Sequence, residues 1–141
     1  MPSLDTIIAR FRAAARTTRL ETLLDYSRKL PALSPALEAL RDAGLHRVPE
    51  CQTPVFLHVS VNEGRVHLEA DVPRESPTVR GFLALLIAAL EGATPDQVAA
   101  APDDLLDRLA LSETLGMTRT QGLGAILGRI KRAAAQAPPM A

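Results

Sequence analysis

Cys51 lies in the stretch VPECQTP, residues 48–54, and is the single cysteine of the chain. One thiol excludes an internal disulfide and any multi-cysteine metal site. What it can do is act as a nucleophile, because a thiolate attacks electrophilic sulfur or carbon. His46 and Arg47 would favour the thiolate, and the carboxylate of Glu50 would oppose it. A lone cysteine is most often a small buried apolar residue, but Pro, Glu and Gln neighbours suit a loop tip. The three histidines are scattered at 46, 58 and 67. A zinc site of Cys51, His46 and a second histidine would rest on isolated ligands, so no metal is expected. His58 and His67 then read as solvated strand residues. No nucleophile-elbow serine, phosphate-binding loop, dinucleotide fingerprint or HExxH helix occurs.

Composition narrows the setting. The 141 residues suffice for one core and read as a single domain over 1–141, with its body at about 4–133 and a frayed tail at 134–141. Sixteen Lys and Arg balance sixteen Asp and Glu, which argues against nucleic acid or an anionic membrane as the main partner. The longest apolar run, Phe82–Leu90, is too short to span a bilayer. The start MPSLDTIIARFR lacks the order of a secretory signal, so the cytoplasm is the expected compartment. Arg129, Lys131 and Arg132 make the end of the last helix basic, as a helix macrodipole favours.

The elements that must position the thiol follow from period and punctuation. Leu4, Ile7, Ile8 and Phe11 define a first helix with Ser3 as its cap. A second is expected from Thr18, with Glu21 completing a capping box. Ser34-Pro35 opens a short helix that Gly44 can close. The pattern then changes. Val55–Val61 and Val66–Val72 alternate with period two around Asn62-Glu63-Gly64-Arg65, which predicts a β-hairpin over 54–72. Keeping valine and leucine on one face requires Val61 opposite Val66 and Val59 opposite Leu68, and therefore a turn at Glu63-Gly64 or a loop over 62–65. His58 then faces Glu69, and His67 faces Ser60. A short third strand is expected near 45–48. Helices resume at Ser76-Pro77, at the capping box Thr94–Gln97, around Leu105, Leu106 and Leu109, and from Thr118 with Gln121. Gly122, Gly124 and Gly128 each cost that last helix about 1 kcal/mol, which suggests close backbone packing there. The fold class is α+β, a small antiparallel sheet packed against several helices.

VPECQTPVFLHV, the hairpin, SPTVRGFLALL, GATPDQV and LGMTRTQGLGAILGRIKR, in that order, resemble the SufE family of cysteine desulfuration proteins from about Leu4 to Ala133. The strongest marks are Cys51-Gln52 before an apolar strand, Arg80-Gly81, Thr94-Pro95 and Arg119-x-x-Gly122. The resemblance implies a SufE/IscU-like fold and a sulfur carrier. Cys51 would take persulfide sulfur from a SufS-like cysteine desulfurase and pass it to an iron–sulfur scaffold complex. Pyridoxal phosphate would belong to that desulfurase, and this chain would hold no cofactor. It would act as the desulfurase's partner and activator rather than as a stand-alone enzyme. Gln52, Arg119 and Glu50 would support the site or contact the partner. Glu50 departs from the glycine common before the cysteine, restricting the loop and adding a negative charge. A single thiol suits a carrier, because a neighbouring thiol would discharge the persulfide as a disulfide with release of sulfide. The residues alone leave two other classes open, a thiol redox protein such as a one-cysteine peroxidase and a binding module with an incidental cysteine.

Overall fold

A computed structural model describes residues 3–49 and 51–136. Within them the chain forms α1 (Leu4–Ala13), α2 (Arg16–Ser27), α3 (Pro35–Asp42), β1 (Phe56–Asn62), β2 (Arg65–Asp71), α4 (Pro77–Leu90), α5 (Pro95–Ala99), α6 (Leu105–Arg108), α7 (Ser112–Leu115) and α8 (Met117–Gln136). The two strands pair antiparallel, with Val61 opposite Val66 and Val59 opposite Leu68. Glu63 (φ 53°) and Gly64 (φ 75°) both occupy the left-handed region, as a two-residue type I′ turn demands. This register sends Leu57, Val61, Val66, Leu68 and Ala70 into the main core.

The opposite face of the hairpin is not simply solvated. Phe56 packs there with Leu33 and Leu37. Glu69 accepts a bond from the Ser34 N–H at 3.1 Å, and Asp71 pairs with Arg41 at 2.8 Å. Helix α3 and the residues before it therefore cover one end of that face, and His58 is only partly exposed. His67 Nδ1 lies 2.6 Å from Glu91 Oε2, while Glu91 Oε1 accepts the Leu68 N–H at 2.8 Å. The Val66 N–H and C=O bond to Ala93 and Gly92, so the residues following α4 satisfy part of the outer edge of β2.

The expected third strand is reduced to a bridge, Arg47 opposite Phe56. The Leu57 N–H reaches the His46 carbonyl at 3.0 Å, and the Val48 N–H reaches the Val55 carbonyl at 2.9 Å. Pro49 follows at once and has no N–H with which to extend the ladder. Two helix starts also differ from expectation. Helix α2 begins at Arg16 with Ala15 as N-cap and no side-chain cap bond; Thr18 lies inside it and accepts a bond from Thr22 at its carbonyl. Helix α8 begins at Met117, directly after the left-handed Gly116, so the break comes from glycine and Thr118 is a first-turn residue. The short α7 was not legible in the periodicity. Helix α8 continues through Gln136, past the expected start of the tail at 134, and residues 137–141 of that tail lie outside the described residues. Both bonds of the capping box at Thr94–Gln97 are formed.

Helix α4 is the axis. Val79, Phe82, Leu83, Ala84, Leu85, Leu86 and Leu90 are all buried, so the helix must be covered on nearly every side. Its close approach to a neighbour occurs at Gly81. A Cβ there would lie 2.2 Å from the Leu23 carbonyl oxygen of α2. The close backbone packing expected at the glycines of α8 is absent: a Cβ on Gly124 would meet nothing within 4 Å, and those on Gly122 and Gly128 would meet only side chains. Beside Gly81, Arg80 joins three elements. It donates to the Ser27 carbonyl at 2.9 Å and the Val72 carbonyl at 2.6 Å, and it lies 3.5 Å from Asp71. Gly81→Ala should therefore destabilise the fold by at least about 2 kcal/mol despite the better helix propensity of alanine. A urea melt checks this; an unchanged midpoint would mean that the α2–α4 contact yields easily.

Candidate functional site

Cys51 follows a tight turn. The N–H of Cys51 bonds to the Val48 carbonyl at 3.3 Å, with Pro49 in the second position where its fixed φ suits a turn. The bridge between Arg47 and Phe56 closes the base of this loop. Thr53 ties its far side to the start of α4 through a 3.3 Å contact between Thr53 Oγ1 and Ser76 Oγ. Ser76 thus serves the loop and makes no side-chain cap bond to its own helix.

The Cys51 side chain is half-buried and packs against the main core. Its Sγ lies 3.7 Å from the carbonyl oxygen of Gly122, the thiol donating. The loop, the first turn of α4 and the start of α8 enclose a cleft of about 520 Å³. Cys51, Gln52 and Thr53 line one side, with Thr118, Arg119, Gln121 and Gly122 across from them and Val79, Leu123 and Ala125 supplying apolar wall. Sulfur is soft and apolar, so such a wall suits it, while the rim is polar.

Among the sequence-predicted site residues, Cys51, Gln52 and Arg119 are brought to one cleft. Glu50 lies outside the described residues. Arg119 occupies the first turn of α8, where the helix dipole disfavours a cation; it is exposed, and among the described residues no hydrogen bond or ion pair holds it. Thr53, Val79, Thr118, Gln121 and Gly122 were not singled out as site residues from the sequence. The Arg119-x-x-Gly122 spacing could have identified Gly122, since three residues along a helix return to the same face. Among the described residues, no group of three or more His, Cys, Asp or Glu side chains is placed to hold a metal ion. No helix there is long and apolar enough to cross a membrane. The basic end of α8 is partly consumed internally: Lys131 bonds to the Ala101 carbonyl and, at 2.7 Å, to Asp103.

His46 and His58 form the base of the loop. Their rings meet edge to face with centroids 5.2 Å apart, and His46 also packs on Phe56. His46 holds a left-handed backbone (φ 56°), the position that turns the chain from α3 into the bridge. Burial, then the neighbouring His46, lowers the pKa of His58 from 6.5, with Glu69 opposing. The folded protein consequently binds fewer protons than the unfolded chain just below pH 6.5. This contribution to stability is therefore complete above about pH 6.5 and is lost as the pH falls toward the lowered folded value. His58→Gln should flatten the decline in melting temperature between about pH 7 and 5; parallel curves for the two proteins would show that His58 carries no proton linkage.

Comparison with known proteins shows the family and the fold. A family model described as "SufE: Fe-S metabolism associated domain" matches residues 5–134. A SufE-like protein of Mycobacterium tuberculosis, itself uncharacterized, is 35% identical over 127 residues, covering 89% of this chain and 87% of its own length. The sulfur acceptor protein CsdE of Escherichia coli is 36% identical over 106 residues, 74% of this chain and 68% of that protein. The solution structure of a hypothetical protein from Thermus thermophilus superimposes with a TM-score of 0.83 at 36% identity, covering 95% of this chain and 94% of that one.

Proposed function

The chain belongs to the SufE family of Fe-S metabolism associated domains, and we propose that it is a sulfur acceptor whose Cys51 takes persulfide sulfur from a cysteine desulfurase and passes it toward iron–sulfur cluster assembly. The observation that carries this reading is the placement of the only cysteine on a short turn, at a cleft it shares with an arginine that makes no hydrogen bond or ion pair among the described residues. The sulfur-acceptor relative CsdE supports the same reading. The donor is a SufS-like desulfurase, which keeps the pyridoxal phosphate, and the recipient is an iron–sulfur scaffold complex. The cytoplasm is the compartment proposed for both steps.

The chemistry is a thiol exchange. The Cys51 thiolate attacks the outer sulfur of the donor's persulfide. The donor S–S bond breaks as the new one forms, and the donor cysteine leaves as a thiolate. The transferred sulfur keeps its oxidation level, so neither oxidant nor reductant is consumed. Arg119 supplies positive charge where thiolates enter and leave. Gln52, on the rim, offers an amide to the docked surface, and Glu50 can meet a basic one. At rest the thiol donates to the Gly122 carbonyl. A thiolate has no proton to donate, so attack requires Cys51 to leave that contact. A docking partner that draws the loop outward would accomplish this.

Intact-mass measurement after incubation with a desulfurase and cysteine tests the reading. Wild-type protein should gain the mass of one sulfur atom, removable by dithiothreitol, and Cys51→Ser should gain none while melting as wild type does. Arg119→Ala should load about tenfold more slowly, with a melting temperature within about 2 °C of wild type. An unmodified wild-type mass beside a persulfidated desulfurase would reject the carrier role, and equal loading rates would remove Arg119 from the site.

A further inference from the structure

Gly122 is the point at which α8 meets the thiol. Its carbonyl accepts from Cys51 at 3.7 Å, and a Cβ built on it would lie 3.9 Å from the Cys51 Sγ. We propose that Gly122 is a positioning residue for the carried sulfur: its missing side chain leaves the space on the wall of α8 into which the outer sulfur of Cys51–S–SH folds. The proposal rests on the reading of Cys51 as a sulfur acceptor and adds to it the residue that accommodates the product.

The dimensions support it. An S–S bond is about 2.05 Å long. An outer sulfur laid along the line from Sγ toward the added Cβ would end roughly 2 Å short of it, since 3.9 less 2.05 is about 1.9 Å. That is far inside contact distance. With glycine the next atom in that direction is its own Cα, one bond of about 1.5 Å farther on, so the outer sulfur would meet it at roughly contact distance instead of overlapping a methyl, and the cleft continues along Leu123 and Ala125. The resting thiol alone would tolerate a methyl at 3.9 Å, an ordinary van der Waals contact. What alanine would obstruct is therefore the persulfide rather than the thiol.

Glycine at 122 costs the helix about 1 kcal/mol relative to alanine, and room for the outer sulfur is what it would supply in return. Gly124 supplies the internal control. It lies two residues on, lines a different cavity with Phe82 and Leu127, and a Cβ there would meet nothing within 4 Å. If α8 needed glycine for flexibility, both positions would matter. If it needs room for sulfur, only Gly122 would.

The test loads Gly122→Ala, Gly124→Ala and wild type with glutathione persulfide, followed by intact mass. In that reaction the Cys51 thiolate attacks the outer sulfur, the S–S bond of the reagent breaks, and glutathione leaves as its thiolate. Both variants should melt at or above the wild-type temperature. Gly124→Ala should load as wild type does, and Gly122→Ala should load at least about tenfold less, the effect of overpacking by one methyl. Equal loading of Gly122→Ala and wild type would overturn the proposal, as would an equal loss in Gly124→Ala. A parallel arm with desulfurase and cysteine separates the two claims. Wild type that loads from glutathione persulfide but not from the desulfurase rejects the sulfur-acceptor reading alone, wild type that loads from neither rejects both, and where wild type loads only from the desulfurase, equal loading of Gly122→Ala in that arm overturns the proposal.

Discussion

A helix that is apolar on nearly every side cannot rest on the surface of a small protein, and α4 is such a helix. Its burial dictates where the other elements go. Helix α2 crosses it at Gly81, where only the absence of a Cβ permits the Leu23 carbonyl to approach. The hairpin lays its valine and leucine face into the same core, and α8 contributes Leu123, Ile126, Leu127 and Ile130. Arg80 fastens the arrangement at one end by donating to the carbonyls of Ser27 and Val72. One side chain thus satisfies two backbone carbonyls, next to the glycine at which α2 crosses.

The site is a consequence of that packing. The first turn of α4 offers Val79 to the cleft and Ser76 to the loop. Because the loop is tied to the start of α4 on one side and to the bridge at Arg47 and Phe56 on the other, Cys51 is delivered to the wall of α8. Contact with the core and with the Gly122 carbonyl then keeps the thiol half-sheltered. Shelter and reactivity are in tension, since the attacking species is a thiolate and the held species is a donor. On the proposed reading, a short tethered loop resolves this by moving while the elements that hold its ends stay in place.

Much of the fold was legible in the sequence. The hairpin register followed from a single requirement, that Val59, Val61, Val66 and Leu68 share one face, and its turn from the Glu63-Gly64 pair. The capping box at Thr94 was readable because both partners are local. The errors came where long-range packing decided. Thr18 looked like a cap, but α2 starts earlier on Arg16. The glycines of α8 looked like a packing seam, whereas the tight crossing lies at Gly81, on a helix whose neighbours the sequence does not name. The thiol and Arg119 could be suspected from residue type, context and resemblance. Their meeting in one cleft with Thr53, Val79 and Gln121 depends on how α4 and α8 lie against the loop, which no local pattern encodes.

Held at rest and released on docking is the central claim, and the alkylation rate of Cys51 reports it directly. With iodoacetamide at fixed pH, the folded protein should react at least about tenfold more slowly than the same chain in denaturing urea. Addition of a desulfurase without cysteine should accelerate the folded protein toward the unfolded rate. A folded protein that reacts as fast as the unfolded chain, with or without the desulfurase, would contradict a sheltered thiol and the account built on it.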